Sequence, residues 1–398
     1  MTRAFAFAAL ALLASSGCSD AAVTYAAYDG PPAYPNRRPS YAGAAERLGY
    51  VSNSLSDSIS LLDMDRLSLI AELPVGRDPV DVDGPHHLAI DAASRRLYVA
   101  LSYPAPSIAP GPHVGHGGSN RYGYVQALDL DDLRPLGELR VEQNPGDIVL
   151  APDGTTLAVT HYDLVRAQRE TTLDAQRALL LLLDPTPTDG VPDLRRAIQL
   201  CIAPHGVTYS ADSARLFVTC TGEDSVAVVE AASGQVLARV PVATRIGTPG
   251  APLHEPYAAV LAPAGDRLAV ANIGSATLAL FDVGEELSRS SSTPVLGAPY
   301  FPTWTQDGAR LVVPTQGPDG AVLVDGQTGA LLAEASYPAE VCGRPHEAVT
   351  DDQGRVFIVC EGDHVNPGSV VEVDAGSLQV LARVEVGRYP DRLRFLPQ

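Results

Sequence analysis

An all-β, seven-bladed propeller of four-stranded antiparallel blades is predicted by three features of this sequence. The first is a repeated phrase: Pro85, Pro145, Pro204, Pro256, Pro299 and Pro345 are each followed nine residues later by a turn residue, Ser94, Gly154, Ser213, Gly265, Gly308 and Gly354. Self-similarity at a period of roughly 40–60 residues marks an array of structural units. The second is the content of each copy, which reads as strand, turn, strand, with β-branched and aromatic residues bounded by Gly, Asp and Ser. The third is a split copy: Pro390 opens the phrase again just before the chain stops at Gln398, while Arg47 to Leu73 supplies three strands with no proline-led strand before them.

Each element follows from these features. In the third complete copy, Pro204 to Ser210 forms the first strand, Ala211 to Ala214 the turn, and Leu216 to Thr219 the returning strand. Ser225 to Glu230 and Gln235 to Pro241 complete four antiparallel strands, the composition of a propeller blade. Pairing the Pro390 segment with Arg47 to Leu73 makes the seventh blade, closes the ring and hides the edge strands that an open array exposes.

Ahead of the propeller, assigned to residues 47–398, two segments are expected. Residues 1–18 carry Arg3, an apolar run from Ala4 to Ala14 and small residues before Cys18. This is the layout of a bacterial secretory signal peptide, too short to span a membrane permanently. Cys18 sits where a lipoprotein box places its lipidated cysteine, so a lipid anchor is the expected link to a membrane, although Ser15 stands where leucine is usual. Residues 19–46, rich in Ala, Pro and Tyr, read as a flexible tether. The expected location is outside the cytoplasm, in the periplasm or as an outer-membrane or cell-surface lipoprotein.

The formal net charge is −19 and all 28 basic residues are arginine. Nucleic acid, which requires clustered positive charge, is excluded as a partner. Schiff-base chemistry is excluded by the absence of lysine. No nucleophile elbow, phosphate-cradling glycine loop or haem attachment motif is present.

The two phrases Tyr50-Val51-Ser52-Asn53 and Ala269-Val270-Ala271-Asn272, with Pro204-His205-Gly206 and its following turn, resemble the repeat of the YVTN family of propellers. The resemblance covers residues 47–398. It implies the propeller fold and leaves activity open, since that family includes surface-layer and periplasmic binding proteins, and a fold does not name a function.

On the grid of blades, all nine histidines fall at blade starts, at second-strand ends or in the loops that follow, positions that share one face of the disc. The four cysteines of the propeller share that face. Cys201 and Cys342 lie three residues before Pro204 and Pro345, and Cys220 and Cys360 end the second strands those prolines open. The repeat favours the pairings Cys201–Cys220 and Cys342–Cys360, which suit an oxidising compartment. Thiolate–imidazole metal sites using Cys201, His205 and Cys220 are the alternative.

The residues after the blade-start prolines, His86, Gly146, His205, Tyr257, Tyr300, His346 and Asp391, are expected to gather at the mouth of a central channel. His87, Asp147, Glu255, Glu347 and Arg392 are their polar neighbours. Three readings follow: a structural Pro-His habit, a ligand site using His86, His205, Tyr257, Tyr300, His346, Glu347 and Glu255, and a metal site using His86, His205, His254 and His346. Copper or another transition metal is the cofactor of the third reading. His113 and His116 lie in a Gly/Pro-rich loop that could cover the mouth.

The leading functional expectation is an exported, monomeric binding propeller that recognises an envelope protein or a small molecule through its histidine-bearing face. The alternative is a metal-dependent redox enzyme, or a hydrolase similar to the seven-bladed propellers that open lactones with His, Glu and Arg. His346, Glu347 and Arg344 or Arg392 would then supply base and anion clamp.

Overall fold

The computed structural model describes residues 38–79, 82–103, 117–185 and 190–396. Residues 1–37, with Cys18, and the His113/His116 loop lie outside the described residues.

Seven antiparallel sheets form the ring. Six take their strands from consecutive sequence, four in five of them and five in the sheet that begins at Ala298–Pro299, where the innermost strand is split in two. The seventh pairs Pro390–Phe395 with Leu48–Asn53, Gly49 opposite Phe395 and Asn53 opposite Pro390, as the split phrase requires. Residues just ahead of Arg47 lie against the propeller, with the Tyr41 N–H donating to the Asp131 carbonyl at 2.7 Å.

The strand sequences follow from where each strand sits. Second and third strands are covered on both faces by neighbouring blades and have apolar, buried centres with polar residues at their ends, as in Arg96–Leu101 and Ser225–Glu230. Outermost strands such as Val236–Pro241 and Val380–Glu385 are largely exposed and carry Arg239, Arg383 and Glu385, charges that discourage pairing at the free edge.

The last residue of the second strand, or in the Pro299 blade the last but one, faces the proline of its blade. Leu101 lies opposite Pro85, His161 opposite Pro145, Cys220 opposite Pro204, Asn272 opposite Pro256, Thr315 opposite Pro299 and Cys360 opposite Pro345. In two blades that position carries cysteine, and disulfides join Cys201 to Cys220 and Cys342 to Cys360. A bonded cysteine is neither thiolate ligand nor nucleophile, so the thiolate–imidazole reading is set aside.

Immediately after the proline the innermost strands are irregular. The register slips between Pro85 and Leu88, Pro145 and Ile148, Pro204 and Val207, Pro256 and Ala258, and Pro345 and Glu347. A bulge suspends the alternation of side chains, so both residues after the proline can serve the axis. The Pro299 blade departs further. Pro302 cannot donate to the ladder, its innermost strand is broken, and Phe301 instead exchanges hydrogen bonds with the next blade, its N–H to His346 O and its carbonyl to Ala348 N.

Candidate functional site

Counting from the blade-start proline, the axis is built in tiers. The first residue after each proline supplies His86, His205, Tyr257, Tyr300, His346 and Asp391, all buried. The second supplies His87, Asp147, Phe301, Glu347 and Arg392, also buried. The last two residues of most innermost strands become partly exposed, as in Pro145–Leu150, Pro256–Leu261, Pro345–Thr350 and Pro390–Phe395. The histidine-bearing end of the axis is therefore filled, and an opening lies at the opposite end. Bulky imidazole, phenol and guanidinium groups close the first, whereas the fourth residues after the proline, Val149, Thr208, Val260, Thr303 and Val349, are small.

Across the first two tiers the histidines meet. His86 and His87 stack with ring centroids 4.0 Å apart, and His87 lies 5.6 Å from His205 and 6.4 Å from His346. Tyr257 stacks on His205 at 3.7 Å, and Tyr300 is 5.4 Å from His346. Each imidazole is held through Nδ1: His86 on Asp391 Oδ2 at 3.2 Å, His205 on the Tyr257 carbonyl and His346 on the Asp391 carbonyl, both at 3.0 Å. Burial, reinforced by the Arg392 charge, brings the His86 pKa down to about 3 and pushes His87 well below its ordinary value. Burial drives His346 down in the same way and raises the Asp391 and Glu361 carboxyls. Donor atoms of His346, Glu361 and Asp391 lie within 4.8 Å of one another, as do those of His86, His87 and His205.

Two expected residues are not brought to this cluster. His254 is half-buried in the loop before its blade, its ring nitrogens bound to Ser275 Oγ at 2.9 Å and the Arg245 carbonyl at 2.8 Å. Glu255 precedes Pro256 in a left-handed conformation, φ 52°, and its N–H donates to Asp224. Neither joins the donor groups found on the axis.

The second tier is an ionic layer. Arg392 donates from Nη1 to Glu347 Oε1 and from Nη2 to Asp147 Oδ1, each at 2.6 Å, with its guanidinium carbon 3.6 Å from the Phe301 ring centre. Asp147 also holds His87 Nδ1 at 2.9 Å and accepts the Val207 N–H. Glu347 accepts from Arg394 Nη1 and the Leu393 N–H, each at 2.8 Å. Burial works against its charge, yet Arg392 and Arg394 hold this carboxyl below its ordinary range.

Below that layer is a cleft of about 220 Å³ lined by Asp147, Phe301, Glu347, Arg392, Arg394, Thr208 and Thr303 among others. Glu347, Arg392 and Asp147 side chains are at most 4% exposed, whereas Arg394 is 27% exposed. Among the described residues both hydrogen bonds of Arg394 use Nη1, which leaves Nε and Nη2 available. Phe301, Thr208 and Arg394 are site residues that the sequence reasoning passed over. Aligning the fourth residue after each proline, Ala89, Val149, Thr208, Val260, Thr303, Val349 and Arg394, exposes the signal, because only one carries a charge.

No protein-family model and no curated protein matches this chain. Solved structures do. A periplasmic gluconolactonase of Pseudomonas aeruginosa is 20% identical, with a TM-score of 0.64 over 88% of this chain and 98% of its own. A protein from Lactobacillus plantarum, 15% identical, gives 0.67 over 88% and 100%. A putative 6-phosphogluconolactonase from Bacteroides uniformis, 13% identical, gives 0.66 over 88% and 99%. The chain shares their fold.

Proposed function

We propose that this protein is an exported propeller that binds a small polar molecule bearing a carboxylate or an electron-rich carbonyl, in the cleft at the far end of its channel. The observation that carries this reading is Arg394. It is the most exposed charged group of the ionic layer, and its free Nε and Nη2 match the bidentate geometry of a carboxylate. Phe301 and the valines offer an apolar wall, and Thr208 and Thr303 add hydroxyls, the usual make-up of a ligand pocket. The recognition surface thus moves from the histidine-bearing end to the opposite one. Calorimetric titration with D-gluconate and with its lactone tests the reading. Binding weakened about tenfold or more by Arg394→Met supports it; equal binding by both proteins removes it.

Lactone hydrolysis is the second reading, supported by the gluconolactonase and 6-phosphogluconolactonase named among the fold neighbours. Arg394 would polarise the carbonyl and Glu347 would be the base. It ranks second because Glu347 already accepts three hydrogen bonds, which weakens a carboxylate as a base. A lactonase rate unchanged in Glu347→Gln rules out this assignment. A copper-type redox role would need an ion at the histidine cluster.

Export is supported by the two disulfides. Lipidation of Cys18, a monomeric state, exclusion of nucleic acid and membership of the YVTN-repeat propellers are proposed on the sequence grounds given above. The mass of the mature N-terminus tests lipidation directly.

A further inference from the structure

We propose that the Arg394 cleft admits ligands with one negative charge and refuses those with two or more, and that Glu347 sets this limit. The inference rests on carboxylate binding at Arg394 and adds to it the charge class of the ligand. Among the described residues, the charged groups lining the cleft are Arg392, Arg394, Asp147 and Glu347. Two cations and two anions leave no net charge before a ligand enters.

How that charge is distributed decides what can bind. Arg392 is already committed, with Nη1 on Glu347 and Nη2 on Asp147, each at 2.6 Å. Glu347 Oε1 accepts from both guanidinium groups, the second bond coming from Arg394 Nη1 at 2.8 Å. One carboxylate oxygen therefore holds the inner arginine and partly neutralises the outer one. Both arginines keep the Glu347 carboxyl below its ordinary range, so it stays ionised. Its side chain is 4% exposed, where salt screens little, and an anion on Arg394 feels Glu347 as well as the arginine. A single ligand carboxylate is matched by Arg394. A second negative charge finds no partner and meets Glu347 and Asp147, a like-charge contact of the kind that rejects wrong ligands.

The rest of the wall offers no substitute for a second cation. Val149, Thr208, Val260, Thr303 and Val349 occupy in their strands the position that Arg394 occupies in its own. The described lining residues lie on or between innermost strands and include neither a glycine loop nor a helix N-terminus, the usual cradles of phosphate. Pro302 has no N–H to give. Behind the layer, burial pushes His87 well below its ordinary pKa, so that ring adds no positive charge. The cleft, at about 220 Å³, is also smaller than the roughly 300–1,000 Å³ usual for ligand pockets, which suits a small acid.

Three sugar acids of rising charge test the limit by calorimetric titration of the full chain at pH 8: D-gluconate, D-glucarate with a second carboxylate, and 6-phospho-D-gluconate, whose phosphate adds about two charges. Affinity for the wild type is expected to fall about tenfold or more at each step. In Glu347→Gln, which keeps the shape and removes the charge, each fall should shrink to about threefold or less. Gluconate and glucarate binding the wild type equally would overturn the charge limit and leave carboxylate binding at Arg394 standing. Undiminished falls in a folded Glu347→Gln protein would overturn the role of Glu347, since exclusion by size is blind to that change. Should that variant fail to fold, Val349→Arg decides, because it adds a second cation to the partly exposed wall. Glucarate is then expected within about threefold of gluconate, and an unchanged gap overturns the limit. Binding of none of the three acids to the wild type removes the Arg394 reading itself, and the limit with it.

Discussion

Asp147 and Arg392, 245 residues apart in sequence, meet at 2.6 Å on the propeller axis. The strand that closes the ring thereby inserts a cation between carboxylates of two other blades, and the same strand presents Arg394 to the cleft. Ring closure and site assembly are one event.

Removing that cation leaves Asp147 and Glu347 in a buried layer with part of their compensation gone. Arg392→Met is expected to destabilise the fold by about 3–5 kcal/mol, the usual cost of breaking a buried ion pair from one side. Urea unfolding measures it. A loss below about 1 kcal/mol would show that the layer is not an energetic keystone.

Each disulfide closes a loop between residues 18 or 19 apart. Replacing either pair by serine is expected to cost about 3 kcal/mol on the chain-entropy scale for loops of this length. The check is the urea midpoint of the oxidised protein against each double variant, and unchanged midpoints would contradict the expectation.

Asp57 accepts the Gly84 N–H at 2.9 Å beside Asp83, and burial, with the Asp83 charge adding to it, raises its pKa to about 7. The folded value lies above the unfolded one, so the fold binds the extra proton and loses stability as pH rises from about 4 to 7. Asp57→Asn is expected to stabilise the protein by about 1–2 kcal/mol at pH 8, after discounting for partial exposure, and to leave it unchanged near pH 4. Thermal melts at the two pH values decide. Equal effects at both would contradict the shift.

His161 works in the opposite sense. Buried, with Nδ1 donating to the Leu179 carbonyl, it has its pKa lowered by burial to about 4. The unfolded chain protonates near 6.5, so this contribution is complete above that value and is lost as pH falls toward 4. Between pH 7 and pH 5 the wild type should lose about 1–2 kcal/mol more than His161→Gln. Parallel urea curves for the two proteins would contradict it.

Much of this architecture was legible because it is periodic. The prolines located the innermost strands, the split phrase located the closing blade, and the repeated Cys-x-x-Pro spacing selected the two disulfides from three pairings. Three features were not legible. The bulge after the proline is a backbone irregularity with no residue signature, and the alternation of an undistorted strand would point His86 and His87 to opposite faces. The open end of the channel depends on side-chain volume, a comparison across seven strands: large groups just after each proline, and Ala, Val and Thr three residues further on. Phe301 reaches the axis because Pro302 breaks its strand, a rearrangement that spacing alone does not reveal.

The central claim is that ligand enters at the Arg394 end of the axis. A crystal soaked with D-gluconate tests this most directly. The account predicts a carboxylate on Nε and Nη2 of Arg394 beneath Phe301. A gluconate bound only at the His86, His205 and Tyr257 end, with the Arg394 cleft empty, would contradict it.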